Sequence, residues 1–210
     1  MTTDPAKTRI YHITDVANLQ SIIDEGALLS DAAMRASGKD VTEIGYATIK
    51  WRRLNTYRVD CCEGRFVGEF VPFYFCPRSP MLFTINKGNT GRPPGCQTTI
   101  LHLVSNVNRA WSLQQPWAIS DGNAGAAYTT FSNATDALEH VAWEVVRSDA
   151  WSGDRMNKKA TEFLIEKSFP VDSLLGIGVH NEKIAAQVNK ILVKNNIDLR
   201  VIVKKDWYFP

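Results

Sequence analysis

The sequence has no run approaching the roughly 20 apolar residues a membrane-spanning helix needs, and its opening, MTTDPAKTR, has no apolar core. The first absence excludes a bilayer-spanning helix. The second argues against a signal peptide, so a cytoplasmic protein with no membrane partner is expected. Cysteine is scarce and badly placed for metal. Cys61, Cys62, Cys76 and Cys96 form no CxxC pair and have no histidine at ligand spacing. Adjacent cysteines rarely bridge each other, so free thiols and no metal site are expected. Bulk charge is also missing: 24 Lys+Arg against 22 Asp+Glu leave a formal net charge of +2, which by itself indicates no acidic partner. Internal repeats and an interdomain linker are absent too. With 44% hydrophobic and 22% charged residues the chain can bury an ordinary core, and residues 1–210 are expected to form a single domain.

A more local absence carries more information. No acidic residue lies between Glu69 and Asp121, a stretch holding Arg78, Lys87, Arg92 and Arg109. Residues 46–59 are also acid-free and carry Lys50, Arg52, Arg53 and Arg58. Positive charge is thus gathered toward the N-terminal half, a distribution that suits a polyanion.

Hydrophobic periodicity supplies the elements. RIYHIT at 9–14 alternates as a strand. In the following DVANLQSIIDEG, Leu19, Ile22 and Ile23 share a helical face, with Asp15 or Thr14 as cap and Gly26 as stop. Residues 44–54 place Ile44, Ala47, Trp51 and Leu54 on one side of a short helix, with Lys50 and Arg53 on its surface. FVPFYFCPRSPMLFTI reads as an aromatic strand bent by Pro77 and Pro80 and then resumed. Residues 86–95 read as loop and 98–105 as a buried strand. Residues 120–135 read as loop, followed by a helix through Leu138, Val141 and Val145. In ATEFLIEKSFP, Glu162, Leu164 and Glu166 fall on one strand face and Phe163 and Ile165 on the other. A strand, an amphipathic helix and a last strand close the chain. The class is mixed α+β with a central sheet.

Three features could carry chemistry: His12 at the end of the first strand, the paired arginines Arg52 and Arg53, and Glu162 on a late strand. Taken singly, each has a plainer reading. His12 fits a strand histidine satisfied by backbone, the arginines a solvated face, and Glu162 a strand surface residue. His102 within ILHLV alternates with strand neighbours and reads as structural.

Their company changes this. IYHIT, IKWRRL, VPFYFCPRSPML, ILHLVS, KKATEFLIEKSFP and the terminal KKDWY together resemble the DarT family, the DNA-modifying toxins of a toxin–antitoxin pair, and they span the chain from end to end. The resemblance implies an ADP-ribosyltransferase-like split mixed β-sheet whose cleft takes NAD⁺ as co-substrate, without metal. It implies that His12, Ile13 and Thr14, with Ser21, Leu28 and Arg53, line the NAD⁺ site. It makes Glu162 the catalytic carboxylate: departure of nicotinamide leaves positive charge on the ribose, which a glutamate beside the 2′-hydroxyl stabilises. Glu166 lies outside the motif.

Arg53 matches a family arginine assigned as acceptor of the thymine N3 proton. A guanidinium with a pKa above about 12 is a poor base, so holding pyrophosphate or stabilising the thymine anion suits it better. Arg78, Ser79, Pro80, Met81, Leu82 and Phe83 match a DNA-contacting element. Attack at a base-pairing edge requires an unpaired base, hence single-stranded DNA. The RSPML block resembles the thymidine-specific branch, and the family implies the macrodomain antitoxin DarG as partner. Residues 119–162 correspond to a substrate-recognising loop in which no motif transfers. Two alternatives stay open: the same fold acting on guanine in DNA, on RNA or on protein, and a non-catalytic module that binds single-stranded nucleic acid.

Overall fold

The computed structural model describes residues 3–38, 42–45 and 47–210. Tyr46, which opens the acid-free run at 46–59, lies outside them. The strands are β1 (Arg9–Asp15), β2 (Ala27–Leu29), β3 (Arg58–Val59), β4 (Arg65–Phe66), β5 (Phe70–Tyr74) and β6 (Ile100–Asn106). They continue with β7 (Trp117–Asn123), β8 (Phe131–Ser132), β9 (Thr161–Glu166), β10 (Ser168–Pro170), β11 (Gly176–Val179) and β12 (Val201–Val203). The helices are α1 (Leu19–Glu25), α2 (Asp31–Ala36), α3 (Ala47–Asn55), α4 (Pro80–Asn86), α5 (Val107–Trp111), α6 (Trp143–Val146), α7 (Arg155–Lys159) and α8 (Glu182–Lys194).

Eight strands form the main sheet in the order β12-β11-β6-β1-β5-β9-β7-β8. Its pairings are antiparallel except β11 with β12, so the sheet is mixed. The sheet is also split. β1 pairs with β6 from Arg9 to Asp15, and β5 pairs with β9 along its whole length, but β1 and β5 meet only at Tyr11 opposite Tyr74. Beyond that pair the two halves part and a cleft opens. The α+β split-sheet architecture implied by the resemblance is therefore present.

Local chemistry explains the elements that matter for the cleft. β1 ends where the Asp15 carboxylate accepts the Ala17 N–H (3.0 Å) and starts the turn into α1, which stops at Gly26 with φ 72°, a left-handed conformation glycine adopts without Cβ strain. α8 is capped by Asn181, whose side-chain oxygen accepts the Ile184 N–H (3.0 Å), and buries Ile184, Ala185, Val188 and Leu192 on one stripe. The parity of β9 holds: Phe163 and Ile165 enter the main core with Ile10, Phe73 and Leu103, while Leu164 joins a second cluster with Phe70 and Ala118.

Four expectations are corrected. The segment after Pro80 is a helix, α4, not a resumed strand: Ser79 accepts the Leu82 N–H (3.2 Å) and Pro80 occupies the first turn, where its missing N–H costs nothing. α3 is turned relative to the hydrophobic reading, with Trp51 58% exposed and Arg53 facing inward. Residues 120–123 continue β7, and β8 completes a hairpin within the expected loop. Residues 136–151 are not one helix but a short 3-10 turn and the single turn α6.

Candidate active site

Glu162 sits on β9, opposite Tyr74 of β5, with its side chain 1% exposed. Its strand position is fixed by Ser120 of β7, whose hydroxyl accepts the Glu162 N–H (2.9 Å). Arg53 reaches it from α3 and donates through both terminal nitrogens, Nη1 to Oε1 (3.1 Å) and Nη2 to Oε2 (2.9 Å). Oε1 also accepts the Ala124 N–H (3.2 Å). The guanidinium side chain is only 12% exposed. Such a two-pronged, desolvated pair fixes both groups in plane. Burial works against the charge on Arg53, but the Glu162 carboxylate outweighs it and holds the guanidinium above its already high pKa. Burial first, and then the Glu162 charge, push the Tyr74 phenol upward, so it stays neutral.

The cleft beyond the Tyr11–Tyr74 pair has a volume of about 750 Å³, within the range of small-molecule sites. His12, Ile13, Thr14, Ser21, Leu28 and Arg53 all line it. Glu162 is not itself exposed to the cleft; Arg53 covers it. The His12 Nδ1–H donates to the Pro72 carbonyl (2.8 Å), since a carbonyl can only accept, and Nε2 is left as an acceptor. Burial lowers the His12 pKa, so the ring is neutral near pH 7. The rim is tied down by Asn18, which donates to the Thr42 carbonyl (2.9 Å) and accepts the Thr42 N–H (2.8 Å). Lys50 is held on the wall by Asp31 (3.2 Å) and Glu43 (3.3 Å). Apolar walls, a neutral acceptor and a cation near the floor suit a dinucleotide carrying hydroxyls and a pyrophosphate.

A family model described as "ssDNA thymidine ADP-ribosyltransferase, DarT" matches residues 11–209. The chain belongs to the DarT family. Among DarT relatives, the DNA ADP-ribosyl transferase of Thermus sp. (strain 2.9) is 36% identical over 211 residues, covering 99% of this chain and 99% of that protein. The solved structure of Thermus sp. 2.9 DarT in complex with ADP-ribosylated ssDNA matches with a TM-score of 0.91 at 34% identity, covering 99% of each chain. The same DarT in complex with NAD⁺ matches with a TM-score of 0.87 at 32% identity, covering 99% of this chain and 100% of that one. A DNA ADP-ribosyl transferase-DNA ADP-ribosyl glycohydrolase fusion protein of Thermosipho africanus is 23% identical over 98% of this chain and 50% of the fusion.

The residues that resemble the DarT DNA-contacting element do not act as a unit. Pro80 and Met81 line the cleft. Ser79 and Leu82 are fully buried, the first capping α4 and the second packed with Ile13, Ile85 and Tyr208, so their side chains hold the element rather than face a ligand. Phe83 packs edge-on against Trp151 and Phe209, and Arg78 donates to the Tyr208 carbonyl (3.1 Å) outside the cleft. Glu166 is engaged by Arg65 and does not line the cleft. The acid-free arginines are partly structural: Arg92 binds Asp15, and Arg109 donates to the carbonyls of Asp172 (3.2 Å) and Leu174 (3.1 Å). Sequence reasoning missed Tyr74, Asn18, Lys50, Tyr128, Met156 and Asn157, all lining the cleft. Lys50 lies within IKWRRL, whereas Tyr128 and Met156 lie in segments with no pattern to mark them.

Among the described residues no group of three His, Cys, Asp or Glu could hold a metal ion, and no helix is long and apolar enough to cross a membrane. His102, buried against the Pro77 carbonyl (3.0 Å), has its pKa lowered by burial to about 4 and is structural as expected.

Proposed function

We propose that this protein transfers ADP-ribose from NAD⁺ to a thymine, at N3, in single-stranded DNA and releases nicotinamide. The observation that carries the reading is the convergence on one cleft of all six residues expected to hold NAD⁺, with the Arg53–Glu162 pair beneath them. The Thermus relative solved with NAD⁺ and with ADP-ribosylated ssDNA supports both substrates.

In this reading His12, Ile13, Thr14, Ser21 and Leu28 position the dinucleotide, His12 accepting a hydroxyl or amide proton while neutral. As the glycosidic bond to nicotinamide breaks, Glu162 stabilises the positive charge that spreads over the ribose, and its orientation is fixed in advance by Arg53 and the Ala124 N–H. The thymine N3 then forms the new bond to C1′ and loses its proton. Arg53, doubly bonded to a carboxylate and held above its ordinary pKa, is no acceptor for that proton. Its charge stabilises the thymine anion. Met81 and Pro80 contact the DNA at the cleft mouth.

Residues 1–210 act as one transferase domain, cytoplasmic, as the toxin of a toxin–antitoxin pair. DarG is the partner that reverses the modification, in line with the natural fusion of a transferase to a DNA ADP-ribosyl glycohydrolase in Thermosipho africanus. The test is a competition with labelled NAD⁺ among oligonucleotides containing only thymine or only guanine as the reactive base, RNA, and protein. Label on the thymine oligonucleotide is expected. Label on guanine, RNA or protein instead would replace the thymine assignment, and salt-sensitive binding of DNA with no use of NAD⁺ would replace the enzyme by a binding module.

A further inference from the structure

The single contact between β1 and β5 has two ends. The cleft opens at one, and at the other, around Arg9 and Cys76, lies a second cavity of about 470 Å³. Its charged lining is unbalanced: Lys7, Arg9, Arg78, Arg147 and Lys159 face only Asp149 and Asp206. At its base Lys159 is 2% exposed. The ammonium donates to the carbonyls of Val146 (2.7 Å) and Ser148 (2.8 Å), with no carboxylate at ion-pair distance among the described residues. A buried cation held only by carbonyls keeps most of its field directed at whatever enters. Aromatic surface adjoins the charge. Trp143 carries Arg147 over its ring at 4.9 Å, and Trp207 packs edge-on to Tyr11. Cations beside aromatic faces are the composition that binds a nucleotide, phosphate to charge and base to ring.

The two cavities share walls. Short helix α7 turns Met156 and Asn157 to the cleft and Lys159 to the basic cavity, three residues before Glu162. The bend between β5 and α4 puts Arg78 in the basic cavity and Pro80 and Met81 in the cleft. Anything extending past Glu162 over α7 or over that bend arrives at the cations.

We propose that the basic cavity is a second nucleic-acid subsite that holds the phosphate and base of a nucleotide flanking the target thymine, anchoring the strand while the thymine occupies the cleft. The inference rests on the DNA-transferase reading above. It assigns to Lys7, Arg9, Arg147 and Lys159 a role outside the catalytic pair, and it gives Arg78 a place in strand binding away from the cleft.

The test uses the full chain and the double variant Arg9→Glu/Arg147→Glu, both positions being exposed, with circular dichroism to verify folding. Turnover is measured on the shortest thymine oligonucleotide that reacts, on one long enough to reach both cavities, and on NAD⁺ alone. The variant is expected to lose on the order of tenfold in kcat/KM on the long strand, and its salt dependence should be shallower by about 0.7 for each phosphate it no longer neutralises. NAD⁺ cleavage and the shortest oligonucleotide should be unaffected. Neutral methylphosphonate linkages placed one at a time should identify a position that slows the wild-type protein and does not slow the variant further. An active wild type whose long-strand kcat/KM and salt slope are matched by the variant overturns the subsite. A wild type inert on every oligonucleotide overturns the DNA reading itself, and the subsite with it.

Discussion

Removing one member of the Arg53–Glu162 pair should destabilise the protein as well as inactivate it, and the two effects can be separated. In Glu162→Ala the guanidinium stays in a site where it is 12% exposed, with both of its carboxylate acceptors gone, and the Ala124 N–H loses its acceptor too. Breaking a buried pair from one side costs about 3–5 kcal/mol. At about 2–4 °C per kcal/mol for a chain of this size, Tm should fall by roughly 6–20 °C. Arg53→Ala should cost a similar amount, because it leaves a carboxylate 1% exposed without its counter-charge. The double variant Arg53→Met/Glu162→Leu removes both charges and should cost clearly less than the sum of the single changes, by at least about 2 kcal/mol of coupling. Glu162→Gln keeps an acceptor for Ala124 and should be the milder change in stability while still abolishing transfer. The assay is thermal and urea unfolding of the variants without NAD⁺. Single variants that each cost under about 1 kcal/mol and add in the double would refute a desolvated, coupled pair.

Other perturbations have equally definite outcomes. A Cβ at Gly68 would lie 2.6 Å from Leu54 Cδ2 and 3.1 Å from its Cα, so Gly68→Ala should displace α3, which carries Arg53, costing about 1–3 kcal/mol in urea unfolding and lowering turnover from outside the cleft. Ser79→Ala removes the buried cap of α4 and should cost about 1 kcal/mol in the same assay. Stability should fall on acidification: the folded pKa of His102 is depressed to about 4, so the unfolded chain binds the extra proton. The contribution is full above about pH 6.5 and is lost as pH drops toward 4, by about 3 kcal/mol. His12 and His180, also lowered by burial, act in the same direction. His102→Gln should flatten the unfolding free energy between those pH values, and an unchanged slope would contradict the assignment.

What could be read in advance was what local pattern encodes. β1, α1, β9 and the terminal β11–α8 unit follow from alternation, 3.6-residue periodicity and caps at Asp15, Gly26 and Asn181, all within a few residues of the elements they define. The orientation of α3 was not legible. Hydrophobicity alone puts Trp51 inside and Arg53 outside; the reverse holds because the partner that compensates Arg53 is 109 residues away. Ser79 and Pro80 did carry a helix-start signature, but beside a second proline and an aromatic run it read as a bent strand. The hairpin of β7 and β8 is polar and glycine-containing because it lies at the end of the sheet, where one neighbour is missing. The cleft-lining residues fell into two groups. Those within family motifs were named correctly as neighbours, whereas Tyr128 and Met156 could be placed only by the fold.

The central claim is that one cleft joins NAD⁺ to a base in single-stranded DNA under Glu162. Intact-mass analysis of a mixed-sequence single-stranded oligonucleotide after incubation with the protein and NAD⁺ tests it most directly. The expected result is a gain of one ADP-ribose, dependent on thymine, with release of nicotinamide, and no gain with a folded Glu162→Gln variant. Oligonucleotide mass unchanged with folded wild-type protein, or a Glu162→Gln variant as active as wild type, would contradict it.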